Sequence, residues 1–474
     1  FVFRPFSERI YDLNLLESMT FHLPDACISD DAAQIDVTWE HWSDYFGAIV
    51  TAGTVSNDLR SPEWTVDSPL AGYLPKDNYL PGETIKFHLA SPTGKTDLVI
   101  NHVGLETRPL FATKGIIAPH QRITHLAGRD GVDWPAAYSF LIPEDWRPGY
   151  YQFHLDNGEK HAEGYFVISA VPERKPKLAL IAATNTWQAY NSWGGQSLYR
   201  APVGECIGIR NGNKVSLNRP YLLGPAFGEN PTRYSHLAQA ESLLGSWLDR
   251  KNIPFDLITD KQLHDTPSLL DDYDVVMLAP HPEYWTAEMR GALEDHIGRG
   301  ASVVYAGGNG LYGRVSFGDG QMEGYNPRQF HEHDGQIGGF FYLNDLPQSA
   351  ILGVQYDSRG YLSSEPYLVM QEEHWVFENT GLKQGERFGT GTIAGERIGA
   401  AGLETDKRTP ASPSNTILLA RGDGDSLAEM TIYDLPGGGF VFAAGSINFV
   451  LTLDQDEMQS QILENVMRRA LGGP

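Results

Sequence analysis

Cysteine is nearly absent. Cys27 and Cys206 are the only two among 474 residues, too few for a disulfide framework or a thiolate metal cage, and such scarcity fits a reducing cytoplasm. Cys206 sits in Gly204-Glu-Cys-Ile-Gly208 without the strand-to-helix turn of a nucleophile elbow, so both read as ordinary buried or loop cysteines. Long apolar runs are missing too. None approaches the roughly 18 residues of a membrane span, and the opening Phe-Val-Phe-Arg-Pro lacks the charged and apolar regions of a secretory leader. Basic charge is also scarce: Asp and Glu outnumber Lys and Arg by 60 to 36, giving a formal net charge of −24. That balance repels phosphate backbones and anionic lipid, so nucleic acid and membrane partners are excluded. No Gly-x-Gly-x-x-Gly follows Leu180 and no Gly-x-x-x-x-Gly-Lys occurs, which argues against a bound nucleotide.

What the chain does have is apolar residue in quantity, 41%, and length enough for about three domains. Residues 1–65 carry mixed signals and read as an N-terminal extension or the remnant of a β module. From 66 to 170 the pattern is all β: Ile85, Phe87 and Leu89 alternate after Pro81-Gly82, and Tyr151, Phe153 and Leu155 alternate ahead of the turn Asp156-Asn-Gly158. This predicts a small antiparallel sandwich. Val171-Pro-Glu-Arg-Lys-Pro-Lys177 is the linker.

Beyond it, from 178 to 474, strand and helix signals alternate and predict an α/β catalytic domain with a doubly wound sheet. Strands are expected at 178–182, 255–258, 273–278 and 302–306, with further strands near 416–420, 429–433 and 439–443. A helix carrying Leu237, Ala240, Leu243 and Trp247 lies between the first two. Tyr273-Asp-Val-Val-Met-Leu278 reads as a buried parallel strand. His281-Pro-Glu-Tyr-Trp285 then falls at its carboxyl end, where open α/β sheets bind ligands. Thr286 should cap the next helix, Met289, Leu293 and Ile297 face the sheet, and Gly300 stop it.

Four clusters carry chemistry: Asn185-Thr-Trp-Gln-Ala-Tyr-Asn-Ser-Trp-Gly-Gly195, Asn218-Arg-Pro-Tyr221, the pentapeptide at 281, and Gly308-Asn-Gly310. In a doubly wound sheet the loops after the first, fourth and fifth strands converge, which would bring Tyr190, Glu283 and Asn309 together. Tyr284 and Trp285 read as core aromatics. Glu283, in an apolar setting, needs a cation or a proton. His331-Glu-His-Asp334 is expected to be a solvated loop rather than a metal site, because adjacent side chains diverge in a strand. Glu372-Glu-His-Trp375 is ambiguous by itself.

At these clusters, and at Gly308-Asn309, His374-Trp-Val-Phe-Glu-Asn-Thr-Gly-Leu382, Gly402-x-Glu-x-Asp406 and Gly445-Ser446, the chain resembles the large (catalytic) subunit of N,N-dimethylformamidase over about residues 66 to 474. The resemblance implies a glutamine-amidotransferase-like (flavodoxin-like) fold. It also implies an amidohydrolase of linear C–N bonds with a mononuclear ferric ion, Fe(3+), held by two tyrosines and a glutamate. Glu283 and Tyr190 match two ligands, and Tyr221 is taken as the third over Tyr199 and Tyr234. His281, Asn309 and Glu404 fall at the catalytic positions. Pro280 and Pro282 around His281, and Asn448-Phe449 in the tail, depart from the family pattern. Phenolate and carboxylate oxygens suit a hard trivalent cation.

The expected substrate is a small N-substituted amide such as an N-alkylformamide, with a homo-oligomer or a small accessory subunit as the possible partner. The contrasting reading is a metal-free protein that binds a glycan or a partner through its sandwich, with a degenerate amidotransferase-like domain. A cysteine-nucleophile amidotransferase lacks its cysteine in the required place.

Overall fold

A computed structural model describes residues 65–472 apart from 105, 125, 200, 204–205, 211–212, 222–236, 325–329 and 394. Tyr234 and the N-terminal extension therefore lie outside the described residues, save for Thr65 at the extension's end.

The first half is built from strands that alternate in and out. β1 (Thr84–Ala90), β2 (Lys95–Val103), β3 (Arg108–Ile117), β4 (Ala136–Leu141), β5 (Gly149–Asp156) and β6 (His161–Ile168) are its longest. β1 pairs with β4 and with the short strand Ala71–Tyr73 in one antiparallel sheet. β6, β5, β2 and β3 lie side by side in a second, edged by Asn78–Tyr79. Ile85, Phe87 and Leu89 from one sheet and Leu98, Ile100, Tyr151, Phe153 and Leu155 from the other fill one shared core. Alternation of apolar and polar residues explains the arrangement, because period two puts one set inside and leaves Gln152, His154 and Asp156 on the outer face.

After a short turn at Pro172–Arg174, the chain enters a nine-stranded sheet. Its parallel strands are β7 (Leu178–Ala182), β8 (Asp256–Thr259), β9 (Val275–Leu278), β10 (Ser302–Tyr305) and, much later, Phe440–Ala443. Their spatial order is β8, β7, β9, β10, then Phe440–Ala443. All the residues of these strands are buried, as expected of strands covered on both faces. The helix Ala238–Arg250 and the C-terminal helix Glu457–Ala470 pack one face through Leu244, Trp247, Ile462 and Val466. The helices Asp260–Asp265 and Ala287–Gly298 pack the other through Leu263, Met289 and Leu293.

Only this half is wound on both sides by parallel crossovers. Four antiparallel strands, Glu429–Asp434, Ile417–Gly422, Tyr367–Val369 and Arg387–Phe388, extend the same sheet beyond Phe440–Ala443. The molecule is a mixed α/β structure, rich in strands, with several sheets and few helices.

Local signals behave as their chemistry dictates. Thr286 Oγ1 accepts from Met289 N at 3.3 Å, and Gly300 ends the same helix region with φ 78°. Among the described residues, no helix is long and apolar enough to cross a membrane.

Candidate active site

Three segments at the carboxyl ends of parallel strands meet here. The first is the helix Thr184–Tyr190, which follows β7 almost directly and ends on Tyr190. Its start is held by Asn185, whose backbone N–H donates to Asp260 Oδ2 at 2.9 Å and whose side-chain amide reaches the Tyr284 carbonyl at 3.0 Å. The chain then turns through Gly194 and Gly195, at φ 77° and 83°. A Cβ on Gly194 would collide with the Gly128 backbone, so glycine is required by both conformation and space. Seven residues of helix and this turn carry the phenols of Tyr190 and Tyr199 to the same place.

Arg219 fixes that loop. Its guanidinium, 1% exposed, donates to the carbonyls of Gln188, Trp193, Gln196 and Ser216 at 3.0, 3.0, 2.6 and 3.0 Å. Planar five-donor geometry makes arginine the residue for such a clamp. Asn191 adds a bond from its amide to the Pro220 carbonyl at 3.0 Å.

The second segment follows β9. Glu283 N donates to Thr186 Oγ1 at 3.1 Å, and the Glu283 carbonyl accepts from Tyr312 N and Gly313 N at 2.9 and 2.8 Å. The third follows β10, where Gly308 N donates to the Pro280 carbonyl at 3.0 Å, so the two loops are stitched backbone to backbone. Asn309 adopts φ 51°, a left-handed conformation that Asn tolerates better than most residues.

At the centre lies Glu283, 4% exposed. Tyr190 Oη donates to its Oε2 at 3.1 Å, and Tyr199 Oη lies 3.1 and 2.9 Å from Oε1 and Oε2. Tyr284 Oη donates in turn to Tyr199 Oη at 2.7 Å. His281 Nε2 lies 3.1 Å from Glu283 Oε2 and 3.8 Å from Glu404 Oε2, while its Nδ1 faces the Gly308 carbonyl at 3.2 Å. Asn309 Nδ2 donates to Glu404 Oε2 at 2.8 Å. Behind them Asp406 accepts from Asn309 N at 2.8 Å and from Tyr305 Oη at 2.9 Å.

Glu404 enters from a loop braced by Ser446. That hydroxyl accepts from Gly402 N at 2.7 Å and donates to the Gly402 carbonyl at 2.9 Å. Leu403, just before Glu404, sits at φ 64°, a conformation costly for a leucine and found where surrounding structure over-determines the backbone.

The electrostatics lean negative. Among the described residues, the one basic side chain paired with Glu283 or Glu404 is His281. Burial works against the imidazolium, but the bond to Glu283 and the charges of Glu404 and Glu283 outweigh it and push His281 up to about 9. Burial raises Glu404 above the usual carboxylate range, and burial with Glu283 and Glu404 pushes the Tyr190 phenol well up. One buried acceptor, Asn309 Oδ1, has no hydrogen-bond partner among the described residues.

The structure thus brings together Tyr190, His281, Glu283, Asn309 and Glu404, and it does not bring Tyr221 into the group. Tyr221 Oη accepts from Gln188 Nε2 at 2.9 Å, and the second phenol on Glu283, beside Tyr190, is Tyr199. Sequence placed Tyr221 by the conspicuous Arg-Pro-Tyr motif, but the working member of that motif is Arg219, which shapes the loop. Tyr284, read as a core aromatic, is buried and also supports Tyr199. The loops that meet follow the first, third and fourth parallel strands in chain order, β7, β9 and β10, rather than the first, fourth and fifth.

Two other motifs have partners of their own, and the first is not the solvated loop expected, because His331 is 1% exposed. His331 is buried against Ser316 Oγ at 2.8 Å, Asp334 pairs with Arg314, and Glu332 is an exposed partner of Lys214. His374 accepts from Val376 N at 3.3 Å and caps the turn Trp375–Phe377.

Comparison with known proteins places this geometry in context. The N,N-dimethylformamidase beta subunit of an Alcaligenes species is 24% identical over 423 residues, covering 72% of this chain and 54% of that protein. Its counterpart from Paracoccus aminophilus is 23% identical over 421 residues, covering 71% and 54%. The chain therefore spans about half the length of these relatives. Among solved structures, the mmIFT52 N-terminal domain aligns with a TM-score of only 0.29 at 13% identity, covering 47% of this chain and 87% of that one. Both curated relatives carry the name beta subunit, where the motifs had suggested the large one. With residues 102–461 matched by its model, the chain belongs to the family described as N,N-dimethylformamidase beta subunit-like, C-terminal.

Proposed function

We propose that this chain carries the active site of an amidohydrolase for a small N-substituted amide, N,N-dimethylformamide or an N-alkylformamide. Tyr190, Tyr199 and Glu283 would hold a mononuclear ferric ion. The observation that carries the proposal is the convergence of two phenols on one buried carboxylate, within 3.1 Å of it, in a site whose recorded ion pairs involve a single histidine. Three oxygen donors suit a hard cation, and a cation would relieve the crowding of Glu283 and Glu404. Tyr190 otherwise keeps its proton. When bound, the ion supplies Lewis acidity toward the amide carbonyl and toward water.

The chain's own groups supply the rest. Glu404, its hold on a proton strengthened by burial and its carboxylate oriented by Asn309 Nδ2, is the proton carrier. It takes a proton from the attacking water as the O–C bond forms and returns it to the amine nitrogen as the C–N bond breaks. His281, its Nδ1 turned to the Gly308 carbonyl, presents Nε2 to the site and donates to the developing oxyanion. Asn309 Oδ1, without a hydrogen-bond partner among the described residues, is an acceptor suited to an N–H or water of the bound complex. A glutamine-amidotransferase-like fold is part of this reading. The parallel strands run in the order 2-1-3-4-5 known for flavodoxin-like sheets, and the site lies at the switch between β7 and β9. The family name supports an accessory subunit as partner.

Glu283→Ala tests the proposal. Iron content and hydrolysis of N,N-dimethylformamide should be lost together. Retention of full iron and full turnover would remove the site from consideration.

A further inference from the structure

A second cluster of metal-ligating side chains lies on the β5–β6 hairpin, on the outer face of the five-stranded sheet. Antiparallel pairing sets His154 opposite Glu163 and Asp156 opposite His161. Each strand contributes residues two apart, so all four side chains stand on one face. The potential ligand atoms of His154, Asp156 and His161 lie within 4.8 Å of one another, and the two imidazole centroids are 5.4 Å apart. Among the described residues, the recorded ion pairs of Asp156 and Glu163 are with these histidines, His161 at 3.7 Å and His154 at 3.4 Å.

The frame is rigid. Both strands are tied to each other through eight residue pairs, and β5 is also paired to β2. Asn157 Oδ1 accepts from Lys160 N at 2.8 Å and closes the turn. Gln152 Nε2 donates to Glu163 Oε2 at 2.7 Å and orients the carboxylate beside His154.

We propose that His154, Asp156 and His161 form a zinc-class divalent metal site, with Glu163 as the fourth ligand or as the carboxylate that orients His154. Two imidazoles with one or two carboxylates make a borderline donor set, unlike the all-oxygen set around Glu283. Tetrahedral zinc needs ligand atoms about 3.3 Å apart, so binding would draw this cluster in from its present spread of up to 4.8 Å. Backbone ladders fix the strands, so the side chains supply the adjustment. The site is independent of the amidohydrolase reading, since no residue of the Glu283 group belongs to it.

The experiment is equilibrium dialysis of the full chain against zinc chloride, with iron measured in the same samples. One zinc equivalent should bind at micromolar concentration or tighter. His161→Ala and the pair His154→Ala with His161→Ala should weaken it at least tenfold, and Glu163→Gln by about tenfold. Iron content should stay unchanged in all three, and the zinc equivalent should persist in Glu283→Ala. Zinc binding that is only millimolar, or that the double variant leaves intact, would overturn the proposal. Thermal melts of the variants separate loss of a ligand from loss of fold.

Discussion

Glu283 illustrates how a single residue defines the chemistry. A carboxylate that is 4% exposed needs partners, and here they are two phenols and an imidazole rather than a lysine or arginine. The two phenols give it oxygen donors beside the one ion-paired imidazole, and the proposed ferric site rests on that set. Glu404→Gln separates roles at this scale: the variant keeps iron because Glu404 is not among the three donors, while kcat falls by roughly 10²–10⁴ as expected for loss of a general acid–base. Equal loss of iron would instead make Glu404 a ligand. Glu283, Tyr190 and their neighbours were legible in the sequence because each falls just after a strand and within a recognisable motif. Tyr199 was not, since it stands beyond a glycine turn where no periodicity reports direction, and the Arg-Pro-Tyr motif points to Tyr221 instead. The space between Tyr190 and Tyr199 is set by Arg219, whose contacts are to backbone carbonyls and so leave no signature in side-chain type.

Elements bring these residues together, and loops do more of it than helices. The helix Thr184–Tyr190 is only seven residues long, too short to persist unaided, so its position comes from β7 before it and the Arg219 clamp after it. Arg219→Met removes the donors to four carbonyls, Gln188, Trp193, Gln196 and Ser216. Leaving buried acceptors unpaired should cost about 3 kcal/mol or more, read by chemical denaturation. Iron affinity should fall as well, because Tyr190 and Tyr199 are no longer fixed. A variant with wild-type stability would show that the clamp is incidental. The parallel strands were readable as apolar runs of four to six residues. Their antiparallel extension in the same sheet was not, because alternation or a short apolar run marks a strand without saying which sheet it joins.

Across the whole molecule, buried acids set the dependence of stability on pH. Glu241 joins β5, the short helix and the helix Ala238–Arg250 by accepting from Trp187 Nε1 at 2.8 Å, Tyr150 Oη at 3.1 Å and Ala183 N at 3.3 Å. Burial pushes it up to about 7 from an ordinary 4.5. Burial likewise pushes Asp406 to about 7 and raises Asp260 and Asp256. A carboxyl raised on folding favours the protonated native state. Its contribution is full below the unfolded value near 4.5 and is lost as pH rises through about 7. The net charge of −24 acts in the same direction through self-repulsion. The protein should therefore melt higher at pH 5 than at pH 8, and Glu241→Gln should flatten part of that slope, worth about 3 kcal/mol at the alkaline end. An unchanged slope in the variant would locate the effect elsewhere.

The central claim is that two particular phenols and one carboxylate bind ferric iron. It is tested most directly by the visible absorption of purified, iron-reconstituted protein beside Tyr199→Phe, Tyr221→Phe and Glu283→Ala. Tyrosinate bound to ferric iron gives a broad charge-transfer band that polypeptide alone lacks. The account predicts colour in the wild type and in Tyr221→Phe, weakened or shifted colour in Tyr199→Phe, and none in Glu283→Ala. A wild type that stays colourless after reconstitution, or colour that depends on Tyr221 and not on Tyr199, would contradict it.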